Sequence, residues 1–149
     1  MNVLIAGGSG FIGRALCGRL IEKGHRVRVA SRTPEKRGGL PVDVDWIELP
    51  KEREAWMGAL TDCHAVVNLA GAPIADGRWS EDRKALILSS RVETTRGIAT
   101  ACATMAKPPG VLISASAVGY YGDHGDEIGR ELKLVDEQND PISISAPLR

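Results

Sequence analysis

Neither sign of charge is in surplus in this chain, no stretch is apolar enough to cross a bilayer, and aromatic residues make up only 4% of it. Each shortage excludes something. Of 149 residues, 19 are Lys or Arg and 19 are Asp or Glu, which leaves no formal net charge. Binding a polyanion takes a surplus of cations on one face, so nucleic acid is not an expected partner. No apolar run approaches the roughly 18–20 residues that span a membrane, and Met1-Asn2-Val3 lacks the basic segment that opens a secretory signal. The expectation is a cytoplasmic protein that meets neither membrane nor nucleic acid. Cysteine is scarce too. Cys17, Cys63 and Cys102 stand far apart with no CxxC pair, and His25, His64 and His124 are scattered. The thiols read as small buried side chains, and no metal site is expected.

What the chain does hold is 17 glycines and 43% apolar residues. A compact chain of this length buries about 68–70% of its unfolded surface, enough for one globular domain or part of a larger one. Val3-Leu4-Ile5-Ala6 is a continuous apolar run ended by glycine, as in a strand covered on both faces. Ile12, Leu16, Leu20 and Ile21 then recur at helical spacing, and Gly24 sits where a helix ends. Further strands are expected at Val27–Ala30, Trp46–Leu49, Ala65–Leu69 and Val111–Ser114, with a short helix over Glu52–Leu60. The longest helix is expected from a Ser80 cap to about Lys107, ahead of Pro108 and Pro109, with a buried stripe of Leu88, Val92, Ala99, Cys102, Ala103 and Ala106. Strand and helix in alternation predict an α/β fold, a Rossmann-type doubly wound parallel sheet of about five strands with helices on both faces. After Glu127 the composition turns polar, so residues 128–149 are expected to form a divergent, poorly ordered tail behind a domain of residues 1–127.

Gly7-Gly8-Ser9-Gly10-Phe11-Ile12-Gly13 lies between the first strand and the first helix, the context that gives a glycine pattern meaning. Gly7 permits a sharp exit from the strand, Gly10 keeps side chains away from a diphosphate, and Gly13 lets the helix pack closely. Backbone N–H groups and the positive helix end then meet the phosphates. A carboxylate about 20 residues further on would select NAD. This chain reads Ala30-Ser31-Arg32-Thr33 there, followed by Lys36 and Arg37. A hydroxyl and a guanidinium suit the extra 2′-phosphate, so NADP(H) is the expected cofactor. Asn68-Leu69-Ala70-Gly71 and Ser114-Ala115-Ser116-Ala117 close the last two strands with small residues, leaving room for a flat nicotinamide ring.

Together GGSGFIG, Ser31-Arg32, NLAG, ILSSRVETT and SASAVGYYG resemble the extended branch of the short-chain dehydrogenase/reductase superfamily, over about Met1 to Glu127. More narrowly they resemble its atypical NAD(P)-dependent epimerase/dehydratase-like subgroup, once labelled cell-division-inhibitor-like nucleotide-sugar epimerases. The resemblance implies NADP(H) contacts from Gly7, Gly8, Ser9, Gly10, Phe11, Ile12, Gly13, Ser31, Arg32, Leu69, Ala70, Gly71, Arg91 and Ser114. It also implies hydride transfer on a small or nucleotide-linked carbonyl or sugar, with Ser116 as the catalytic serine and Ser114 as the second candidate. The superfamily's Tyr-x-x-x-Lys pattern is missing, since Tyr120 and Tyr121 are followed by His124 and Gly125 at the lysine's place. A non-catalytic NADP(H)-binding or sensing module is therefore the alternative. Extended members run to about twice this length. The resemblance thus implies the cofactor half of a larger enzyme, inactive alone and with its substrate undetermined. Its open sheet edge would be covered by a second copy or by the tail.

Overall fold

The computed structural model describes residues 1–35, 39–40 and 43–116. Among these residues, five strands form one parallel sheet: β1 (Asn2–Ala6), β2 (Arg26–Ser31), β3 (Asp45–Glu48), β4 (Ala65–Asn68) and β5 (Val111–Ser114). Their spatial order is β3-β2-β1-β4-β5. Three helices connect them: α1 (Phe11–Glu22), α2 (Arg53–Leu60) and α3 (Glu81–Thr104). From β1 the chain winds outward to β2 and β3, then returns to lay β4 on the other side of β1. The carboxyl ends of β1 and β4 therefore flank the point where the winding reverses, the place where such sheets leave a crevice.

Alternation along the strands divides the core into two layers. Leu4, Ala6, Ala30, Val66 and Leu112 pack against Trp56 and Leu60 of α2 and Ile98, Ala101 and Cys102 of α3. Val3, Ile5, Val27, Val29 and Val67 face the other way, against Cys17 of α1. Removing each such aliphatic side chain from water stabilises the fold by about 1.5–3 kcal/mol. Gly24 has φ +77° and ends α1, with its N–H donating to the Ile21 carbonyl at 2.8 Å.

The doubly wound sheet and its helices stand as the sequence predicts, and each strand lies within a residue or so of its expected place. The long helix corrects two expectations. It stops at Thr104, and Met105 is extended, three residues ahead of Pro108, whose predecessor Lys107 is itself disfavoured from helical backbone. Its buried residues are Thr94, Ile98, Ala101 and Cys102. Of the expected stripe, only Cys102 is fully buried, and Leu88, Ala103 and Ala106 are exposed. Packing against α2 chooses the face. A Cβ on Gly97 would lie 2.5 Å from the Trp56 indole nitrogen, so the missing side chain makes the notch into which Trp56 fits. No helix among the described residues is long and apolar enough to cross a membrane.

Candidate functional site

The glycine turn is built by close backbone approaches that side chains would forbid. Gly7 has φ +79°, and a Cβ there would lie 2.8 Å from the Leu69 carbonyl carbon and oxygen and 2.9 Å from the Ala70 nitrogen. The turn after β1 and the turn after β4 thus touch through bare backbone. A Cβ on Gly13 would stand 2.5 Å from the Gly7 carbonyl oxygen. The close packing expected of Gly13 is therefore against the turn itself. Gly8 has its own reason: Val29 Cγ2 would lie 2.7 Å from a Cβ there, and Cys17 Sγ 3.3 Å. Burial pushes the Cys17 thiol up to about 11, keeping it neutral beneath the turn. Gly10 differs, since its only close neighbour is the Gly7 carbonyl oxygen at 3.3 Å. Its other side is open.

The helix that leaves this turn begins without a cap. Gly10 occupies the N-cap position, no side chain accepts there, and the first turn holds no acid. The Phe11, Ile12 and Gly13 N–H groups therefore have no intrahelical acceptor, and the positive end of α1 is unneutralised. Phe11 and Ile12 are themselves exposed.

Ser31 ends β2, and its Oγ lies 3.4 Å from Ser9 Oγ while accepting from the Thr33 N–H at 3.2 Å. Two residues distant in sequence thus form one hydroxyl pair, with Arg32 exposed beside it. Lys36 and Arg37 lie outside the described residues. The register adds a residue that sequence reasoning missed: Glu48 of β3 partners Ser31 and is exposed. Only strand pairing could reveal that neighbour.

Asn68, also given no role of its own by the sequence, ties three elements at the end of β4. Its Nδ2 donates to Thr95 Oγ1 of α3 at 2.9 Å and to Ser114 Oγ of β5 at 3.4 Å, and its Oδ1 accepts from the Ala70 N–H at 3.1 Å. A buried polar residue closing an apolar strand was the available signal. Arg91 reaches the same turn from α3. Its Nη1 donates to the carbonyls of Ala72 at 3.2 Å and Ile87 at 2.9 Å, and its Cζ would lie 2.9 Å from a Cβ on Gly71. Ser116 is exposed two residues past β5, while Tyr120, Tyr121 and His124 lie outside the described residues. Among the described residues, no three His, Cys, Asp or Glu side chains are grouped to hold a metal ion.

The arrangement can hold a phosphate-bearing ligand at the end of α1, with polar recognition on the Ser31 side and small residues on the β4–β5 side. Comparison with known proteins shows the family. The family model "NAD dependent epimerase/dehydratase family" matches residues 3–144. The chain is 37% identical over 123 residues to the epimerase family protein SDR39U1 of Homo sapiens, covering 81% of this chain and 38% of that protein. Against the epimerase family protein YfhF of Bacillus subtilis it is 37% identical over 122 residues, covering 82% and 39%. It therefore spans well under half the length of these relatives. Among solved structures, human SDR39U1 (isoform2) with NADPH superposes with a TM-score of 0.66 at 35% identity, covering 81% of this chain and 38% of that one. A UDP-glucuronic acid 4-epimerase from Bacillus cereus, in complex with UDP-glucuronic acid and NAD, shares the fold with a TM-score of 0.71 at 20% identity, covering 89% and 45%. A glycine turn on an uncapped helix at the winding reversal, with this breadth of match, places the chain in the NAD dependent epimerase/dehydratase family.

Proposed function

We propose that this chain binds NADP(H) across the carboxyl ends of its sheet. There it supplies the cofactor half of an oxidoreductase or epimerase acting on a small or nucleotide-linked carbonyl or sugar. The single observation that carries the reading is the start of α1: three free N–H donors, no cap, no acid, and a glycine turn open at Gly10. An anion is what such an end lacks. Ser9, Ser31 and Arg32 then suit a 2′-phosphate, Arg32 as a planar donor and the serines as hydroxyls. Glu48 opposes that charge from the next strand, so Arg32 decides the balance. The human relative solved with NADPH supports the same choice.

The nicotinamide, when bound, supplies or accepts a hydride. The chain's own part is positional. Leu69, Ala70 and Gly71 form the floor beside β4, Asn68 holds Ser114 toward them, and Ser116 presents a hydroxyl to orient a substrate oxygen. The reading extends to a cytoplasmic protein, supported by three free cysteines. It extends also to a second copy along β5, supported by the exposure of Val111 and Ile113. Fluorescence titration with NADPH and NADH tests it: saturable NADPH binding is expected, and its absence sinks the reading. The missing Tyr-x-x-x-Lys spacing favours a second reading, a module that binds NADP(H) without using it. NADPH consumption with a panel of carbonyls separates the two.

A further inference from the structure

Residues 71–73, immediately after the Leu69-Ala70 turn, are gripped from α3 by three side chains. Ser90 Oγ accepts from the Ala72 N–H at 2.9 Å, and Arg91 Nη1 donates to the Ala72 carbonyl at 3.2 Å. One residue further on, Arg83 Nη2 donates to the Pro73 carbonyl. Positions 83, 90 and 91 are seven and eight residues apart, so they share one face of the helix. Arg83 is drawn in under this segment: its side chain is 19% exposed, its Nε is buried without a partner, and the Asp76 carboxylate is 4.0 Å away. Consecutive backbone groups are thus fixed by side chains, where the segment has no strand or helix partner of its own.

The grip reaches the phosphate turn through contacts already described. Gly71 lies under the Arg91 guanidinium, Leu69 and Ala70 follow directly, and their backbone touches Gly7. The Leu69 N–H also donates to the Ala6 carbonyl at 2.8 Å, at the end of β1. We infer that Arg83 and Ser90, together with Arg91, form a clamp that positions the β4 turn against the glycine turn. Arg83 and Ser90 are positioning residues that set cofactor affinity without touching the cofactor. Arg91 acts here through the Ala72 carbonyl as well. This inference rests on the NADP(H) reading above. A lysine at 83 is expected to hold the Pro73 carbonyl less well, because its ammonium sits on a shorter, more flexible stem and keeps its hydration more strongly than a guanidinium.

The test uses the purified protein with Arg83→Lys, Ser90→Ala and Ser90→Thr, read in three ways: amide exchange at residues 69–72 without cofactor, NADPH affinity, and thermal midpoint. Arg83→Lys and Ser90→Ala are expected to speed exchange at 69–72 and weaken NADPH about tenfold, since small displacements of a supporting shell propagate to the ligand. The thermal midpoint should barely move. Ser90→Thr, which keeps the hydroxyl acceptor, should restore both exchange and affinity. Faster exchange with unchanged affinity overturns the clamp, as does exchange unaltered by either variant. A lowered midpoint with unchanged affinity also overturns it, by marking the residues as merely structural. If the wild-type protein binds no NADPH, the functional reading falls, whereas loss confined to the variants leaves that reading intact and supports the clamp.

Discussion

Two helices of this protein rise from loops at the carboxyl edge of the sheet, and they begin in opposite ways. α3 is closed on itself: Ser80 Oγ accepts from the Arg83 N–H at 3.2 Å, and Glu81 and Asp82 stand in its first turn. α1 has neither cap nor acid. Both ends carry the same partial positive charge and the same orphan donors. One is satisfied from within the chain and the other is not. On the NADP(H) reading proposed above, anion binding depends on what is withheld from a helix start, acid as well as cap, since any helix could offer the dipole. α2 also lacks a side-chain cap but carries Glu54 in its first turn.

The comparison breaks most severely if the turn beneath α1 is filled. Gly13→Ala sets a methyl group 2.5 Å from the Gly7 carbonyl oxygen, so the helix start must shift. NADPH affinity is expected to fall by at least about tenfold, roughly 1.4 kcal/mol, as a titration of the variant would show. A subtler change makes α1 resemble α3. Phe11 is 88% exposed, so Phe11→Asp adds an acid to the first turn with little loss of packing. Stability should rise by about 0.3–1 kcal/mol at low salt, while NADPH binding weakens. Ser80→Ala should do the reverse at α3, lowering stability by about 1 kcal/mol with far less effect on affinity. Denaturant melts paired with titrations of both variants would reveal the opposed signs, and parallel changes would contradict the contrast. A last effect, seen only at alkaline pH, concerns Cys17 under the turn. Its folded value is about 11 against an ordinary 9.0, so the unfolded chain releases the proton first. Stability should therefore hold below pH 9 and decline from there to about pH 11. The decline should be shallower in Cys17→Ala, where Cys63 and Cys102, whose thiols burial also raises, still contribute.

Much of this was legible in the sequence because strands covered on both faces are written as apolar runs, and Val3–Ala6 and Val111–Ser114 can hardly be read otherwise. The glycine turn was legible for the same reason, since its meaning depends on the strand before it and the helix after it. The buried face of α3 was not. That helix carries two sets of small and apolar residues, and the choice between them is made by Trp56 fitting at Gly97, a contact 41 positions apart in the chain. Glu48 beside Ser31 and the Arg83–Pro73 bond were hidden in the same way, because a register and a loop path are properties of the folded chain. Asn68 was half visible, as a polar residue at the end of an apolar strand, but its three partners belong to three different elements.

The central claim is that the bare start of α1 and the Ser31–Arg32 corner together hold NADP(H). It is tested most directly by titrating the wild-type protein and Arg32→Ala with NADPH and NADH, following nicotinamide fluorescence. The account predicts saturable NADPH binding, at least about tenfold tighter than NADH, from a charge-assisted guanidinium–phosphate contact. Most of that preference should disappear in Arg32→Ala. Tighter binding of NADH, or no saturable signal from either nucleotide, would contradict it.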